Sequence, residues 1–380
     1  MKPLLLAALV APLVSGQAFA QVIVSANDAK VTLVDGVTTV IKNPPPDTVT
    51  VIDLGVSPPK VLGEVQAPAS VIGPPESVAI APNQPLALVT SSTKLDPADA
   101  SKTVPDDRVT LIDIGVSPPA IVGTVRAGSG ASGVSFNPSG SLALVANRME
   151  GTISIFAVNG KTLTPAGKVD LGAPQSGPSH VVFTRDGRMA LVTRNTDSLI
   201  SILAVDGSTV TYTKRDLAAG LKPYSIQVSP TADIAIVGNV GAGPAGGADT
   251  ISVIDLAARP PRAVNHVTVG PTAEGIGISP DGKHVAVTVM NGTNAPKASG
   301  FFNPAGRLRI FSLAGTNLTP VAEAPLGQWC QGTAWSRDGR TVVAQCMLQQ
   351  ELQLFRFDGR QLSRTGTIKV NGGPAGIAGR

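Results

Sequence analysis

Glu76, Glu274, His180, Arg148 and Arg194 carry the side chains best suited to chemistry in this sequence. Carboxyl and imidazole groups take up and return protons, and a pair of guanidiniums can hold a carboxylate or phosphate through charge-assisted hydrogen bonds. No short motif groups these residues, so a shared site depends on the fold bringing distant segments together. Tyr224, Trp329 and Gln331 are further candidates for ligand contact, the two aromatics because aromatic residues make up only 3% of the chain. No P-loop, nucleophile elbow, Cys-His dyad or haem-attachment motif is present, and Cys330 and Cys346 with His180, His266 and His284 match no zinc spacing. Neither a metal nor a cofactor is expected.

The elements that must position these residues are strands. Val and Ile are abundant, 41 glycines and 32 prolines punctuate the chain, and long helical periodicities are hard to find. DTVTVIDLGVSPP from Asp47 returns as DRVTLIDIGVSPP from Asp107 and, more weakly, as DTISVID from Asp249. A hairpin signature of alternating strand, tight turn and alternating strand precedes it, as in IGISPDGKHVAVTV around Ser279. Its landmark dipeptide recurs at 81, 137, 184, 229, 279 and 336, about fifty residues apart.

A seventh first strand, GGPAGIAGR, occurs at 372–380, and QVIVS from Gln21 reads as a second strand without a first. The two ends complete each other. The expected fold is therefore all-β: a seven-bladed β-propeller whose last blade is closed by the C-terminal strand (373–380) pairing with the mature N-terminus. The domain organisation expected is a signal peptide over 1–20 and one propeller over 21–380. The leader has Lys2, an apolar run and the small-x-small sequence Ala18-Phe19-Ala20, so cleavage after Ala20 and a periplasmic or secreted protein are expected. Later apolar runs are all broken, which argues against a membrane span. A formal charge of +4, scattered along the chain, argues against nucleic acid.

In the sixth hairpin, Arg337-Asp338-Gly339 fits a three-residue loop that pairs Ser336 with Arg340. Counting outward places Cys330 opposite Cys346, close enough for an intra-blade disulfide. Two buried free thiols are the alternative.

Aligning the first strands places Glu76, Ser132, Ser179, Tyr224, Glu274, Gln331 and Ala375 at equivalent entry positions around a central channel. His180 and Trp329 lie beside this ring. Second-strand exits add Asn147, Arg148, Arg194, Asn195, Asn239 and Asn291 to the same face, where insertions near 27–46, 92–106, 241–248 and 292–305 also gather. Other readings stay open: Arg148 and Arg194 as loop charges paired with Glu150 or Asp197, the glutamates as lining of a wet channel, Tyr224 and Trp329 as plugs, and the asparagines as turn formers.

ALVAN from Ala143, GTISIF from Gly151 and the SPDG turn at Ser279 give the chain its resemblance to the YVTN-type propellers and to the propeller lactonases, although Leu, Ile or Val stands where the name-giving Tyr would be. The first functional reading is an exported monomeric propeller that binds a protein partner or a small acidic ligand on its loop-rich face. The alternative, implied by the lactonase resemblance, is a lactone hydrolase at the channel mouth. Glu76, His180 and Glu274 would then be catalytic, with Arg148, Arg194, Tyr224, Trp329 and Gln331 binding substrate. Whether the protein is an enzyme stays open at this level.

Overall fold

The computed structural model describes residues 21–243 and 246–380; the expected signal peptide lies outside the described residues. Alternating Val, Ile, Leu, Thr and Ser build strands that are buried on both faces, as in VTLID of Arg108–Asp113. Seven four-stranded antiparallel sheets form among the described residues. The innermost strands, from blade I to blade VII, are Gly373–Gly379, Val78–Ile80, Ala131–Phe136, Pro178–Phe183, Pro223–Val228, Ala273–Ile278 and Cys330–Trp335.

Blade I closes the ring. Its innermost strand comes from the C-terminal end and pairs with Val22–Asp28, for instance Val24 with Ala378, before Thr48–Asp53 and Lys60–Gln66 complete the sheet outward. Apolar side chains of neighbouring blades interlock to form the core: Ile23 and Ile52 of blade I pack with Val343, Leu352 and Leu354 of blade VII. Burying these faces holds the ring together without any exposed inner edge.

Two of the expected insertions are themselves hairpins, Val31–Val34 with Val37–Val40 and Thr93–Leu95 with Thr103–Pro105. The Cys330–Cys346 disulfide is present, with the Cα atoms 3.9 Å apart. Its route differs from the simple count along the hairpin. The Ser336 amide bonds to the Thr341 carbonyl, not to Arg340, and Trp335 pairs with Val342. A register shift between Cys330 and Thr333 absorbs the extra residue and brings the cysteines opposite each other.

That shift is not confined to blade VII. Equivalent irregularities fall between Ala131 and Val134, Pro178 and Val181, Pro223 and Ile226, and Ala273 and Gly275, and Ala375 is skipped in the ladder of blade I. In blade II the inner strand starts only at Val78, leaving Glu76 and Ser77 outside the ladder. A bulge frees a residue from pairing and redirects its side chain. Ser132, Ser179, Tyr224, Glu274, Gln331 and Ala375 therefore sit where each strand bends at the channel mouth.

Candidate functional site

Threonines of the second strands hold these bends in place. Thr193 Oγ1 accepts the His180 amide at 3.0 Å and donates to the Tyr224 carbonyl of the next blade at 2.8 Å. Thr288 accepts the Gly275 amide at 2.9 Å and donates to the Gln331 carbonyl, and Thr90 donates to the carbonyl of Ser132. One hydroxyl thus fixes a bulge in its own blade and locks it to the next. Sequence reasoning overlooked these threonines, although their common register at 90, 193 and 288 was visible.

Glu76, from blade II, lies close enough to Ser225 of blade V and Glu274 of blade VI for both to act on its carboxyl. Ser225 in turn donates to the Glu274 carbonyl oxygen. Arg148, from blade III, donates to Ser179 Oγ and, at 3.1 Å, to Asn195 Oδ1. Its guanidinium carbon stands 5.4 Å from the centroid of the Tyr224 ring and its charge is felt at Glu274.

Burial sets the electrostatics. Both carboxyls are pushed up from the usual 4.5 to about 8, chiefly by loss of water. The charge of Glu274 raises Glu76 further, whereas Arg148 pulls Glu274 down. Burial drives His180 the other way, to about 3, against weaker opposing pulls from the backbones of Ile226 and Val134. Its imidazole is neutral at ordinary pH. The Tyr224 phenol is raised, again mainly by burial, and stays protonated.

Several buried polar atoms at this mouth have no hydrogen-bond partner among the described residues: Glu76 Oε2, Ser77 Oγ, Ser132 Oγ and His180 Nδ1. Buried polar atoms are ordinarily satisfied, so such a concentration marks a place built to meet another polar group.

Segment 67–77 covers the cluster. The Gly73 amide donates to Tyr224 Oη at 3.1 Å, and a Cβ on Gly73 would come within 2.3 Å of Ser132 Oγ, which explains the glycine. The Val71 amide is held by Asp28 Oδ2 at 2.9 Å, and the Ala69 amide by Asp47 Oδ2 at 3.1 Å. Lys30 bridges the same two aspartates at 3.1 and 2.9 Å and donates to the Ala69 carbonyl. Neither Gly73 nor Ser225 was singled out from the sequence.

The other expected site residues lie elsewhere. Arg194 turns into its own blade, ion-paired with Asp197 and, at 3.4 Å, with Asp216; it does not join Arg148. Trp329 packs with Val31, Val71, Met290 and Met347 beneath the loops. Gln331 is buried, its side-chain amide donating to the Trp329 carbonyl at 3.2 Å. Asn147 and Asn239 are not left-handed turn residues: each is buried and clamps its second strand to hydroxyls of the third, Thr152 and Ser154 or Thr250 and Ser252. Among the described residues, no group of three His, Cys, Asp or Glu side chains is placed to hold a metal ion.

Residues 103–245 match the family model described as "Lactonase, 7-bladed beta-propeller". The chain is a seven-bladed propeller that resembles the lactonase propellers over that segment. A putative 6-phosphogluconolactonase from Bacteroides uniformis has a similar structure, with a TM-score of 0.73, 15% identity, and coverage of 95% of this chain and 99% of that one. A Pseudomonas aeruginosa periplasmic gluconolactonase gives 0.67 and 15%, covering 94% and 98%. A functionally unknown protein from Desulfotomaculum acetoxidans gives 0.69 and 13%, covering 95% and 99%. No curated protein matches the sequence. Identities this low show a shared fold. Within this propeller, the polar cluster at the roofed mouth is the candidate site.

Proposed function

We propose that the protein is a lactone hydrolase acting at the roofed channel mouth. The observation that carries this reading is the pair of buried carboxyls, Glu76 and Glu274, contributed by different blades and both pushed up to about 8, with the Arg148 charge felt at Glu274. Carboxyls tuned this way can exchange protons near neutral pH. The lactonase match over 103–245 supports the same reading better than a partner-binding scaffold.

The roles follow from the electrostatics. Glu274, whose carboxyl feels the Arg148 charge, is assigned the role of general base. Glu76, whose carboxyl is raised by burial and by the charge on Glu274, is assigned the role of general acid. Glu274 takes a proton from water as the water oxygen bonds to the lactone carbonyl carbon. The ring C–O bond then breaks, and Glu76 delivers its proton to the departing ring oxygen, giving a hydroxy acid. Arg148 and the Tyr224 hydroxyl hold the oxygen on which negative charge develops. His180, neutral throughout, supplies a fixed polar edge rather than a proton.

The two carboxyls titrate as a pair, so the rate rises as the first proton leaves and falls when the second follows. Export belongs to this reading. The Cys330–Cys346 disulfide suits an oxidising compartment, and the Pseudomonas aeruginosa neighbour is described as periplasmic.

The test is hydrolysis of a panel of lactones by the chain from Gln21 to Arg380, followed by titration of the acid released. Turnover lost in Glu274→Gln is the expected result. Absence of turnover in a demonstrably folded protein rejects the reading.

A further inference from the structure

Arg148 and Asn195 hold the same place in neighbouring blades. Each follows the last ladder residue of its second strand, Asn147 paired with Ala131 in blade III and Arg194 paired with Pro178 in blade IV. Each backbone amide is bound to a carbonyl just ahead of the innermost strand, that of Arg148 to Gly130 at 2.9 Å and that of Asn195 to Gly177 at 3.1 Å. The two backbones are thus fixed alike.

The side chains meet across the blade boundary. Arg148 Nη2 donates to Asn195 Oδ1 at 3.1 Å, and Nη1 donates to Ser179 Oγ. Asn195 is buried and is held from the far side as well, its Nδ2 donating to the Lys222 carbonyl ahead of blade V at 3.3 Å. An arginine only donates and a carbonyl only accepts, so these neighbours leave the Asn195 amide one orientation. Ser179 Oγ is tied down in turn by donating to the Gly177 carbonyl at 3.1 Å.

Both acceptors of Arg148 are neutral. Glu150, two residues further on, is taken by Lys168 and the Ser129 amide, whereas Arg194 is spent on Asp197 and Asp216. Arg148 lies 5.4 Å from the Tyr224 ring centroid, and its charge is felt at Tyr224 and Glu274. A neutral acceptor orients a guanidinium and leaves its charge in place, while a carboxylate in the same position would orient it and cancel it.

We propose that Asn195 is a positioning residue, which holds the Arg148 guanidinium over Tyr224 without neutralising it, so that a full cation acts on the channel-mouth cluster. It works through Arg148 and touches no substrate. Its consequence for turnover rests on the lactone-hydrolase reading; the contact itself does not.

The test is a double-mutant cycle read at the Glu274 carboxyl. Its titration is followed by carbon-13 NMR of the full chain labelled at glutamate, in a Glu76→Gln background so that Glu274 titrates alone, with Glu274→Gln assigning the resonance. Arg148→Ala should raise the midpoint by about one pH unit, as loss of a nearby opposite charge does, and Asn195→Ala by at least about half as much. Asn195→Ala should add nothing once Arg148 is replaced. Melting temperatures certify each variant as folded, and Asn195→Ser, too short to reach Arg148, takes the place of alanine if that variant unfolds. On any lactone that the chain hydrolyses, Asn195→Ala should lower kcat roughly ten-fold or more with a smaller change in KM. An unmoved Glu274 midpoint in Asn195→Ala overturns the proposal. So does a rise that persists undiminished when Arg148 is also alanine, because Asn195 then does not act through Arg148. Intact coupling in a protein that turns over no lactone upholds the positioning role and rejects the hydrolase reading alone.

Discussion

The amide of Gly73 donates a hydrogen bond to the hydroxyl of Tyr224 at 3.1 Å, joining the segment that roofs the channel to the blade facing it. Both partners are needed because the amide is buried and its acceptor comes from a side chain. Tyr224→Phe leaves that amide unsatisfied, at a local cost of about 1–3 kcal/mol. Faster hydrogen exchange confined to 69–77 is the expected outcome, read by mass spectrometry. Exchange unchanged in that segment would show that the roof does not depend on this bond.

Glu76 and Glu274 also make stability fall with pH. Their folded values near 8 exceed the usual 4.5, so the unfolded chain releases protons that the folded one retains. The stabilising contribution is complete below about 4.5, declines above it, and is lost as pH rises through about 8. Glu76→Gln removes one of these groups. Its melting temperature relative to the parent should therefore climb between pH 5 and pH 8, and parallel curves would contradict the buried-carboxyl assignment. His180 has the opposite sign: with a folded value near 3, its contribution is present above about 6.5 and is lost as pH falls through 3. Its imidazole resonances should stay fixed from pH 8 to pH 5.

Arg148 and Arg194 should separate cleanly in kinetics. Arg148 stands over Tyr224 and acts on Glu274, so Arg148→Ala should lower kcat/KM for lactone hydrolysis by roughly 10²-fold or more. Arg194 is bound to Asp197 and Asp216 within its own blade, so Arg194→Ala should lower the melting temperature while leaving KM and kcat near the parent values. Its ion pairs are largely buried on the arginine side, and removing it strands the two aspartates.

Thr193→Val tests the link between blade locking and site geometry. Valine keeps the volume but neither accepts from His180 nor donates to Tyr224. A stability loss of about 1–3 kcal/mol is expected together with a fall in kcat larger than any change in KM. Chemical denaturation and steady-state kinetics read the two effects separately. Normal kcat in a destabilised variant would make the threonine a purely structural staple.

Much of this molecule was legible in its residues. Six hairpin signatures and complementary chain ends gave the blade count and the closure, because strand alternation and turn chemistry are local properties. The cysteine pairing was also readable, although the hairpin register used to reach it was one residue out and a bulge made up the difference. Glu76, Tyr224 and Glu274 could be placed on one ring by alignment alone.

The repeat is written in local chemistry, and with it which residues share a level around the channel. Which of them meet depends on the closed ring. The reason is geometric: side chains at equivalent bulges point where the local bend sends them, and contacts across a closed ring join residues far apart in the chain. Glu76 comes within electrostatic range of Glu274, Arg148 turns toward Tyr224, and Arg194 turns into its own sheet because Asp197 and Asp216 are there to receive it. The desolvation that moves two ordinary glutamates to about 8 belongs to the assembled ring and its roof, and no single strand carries it.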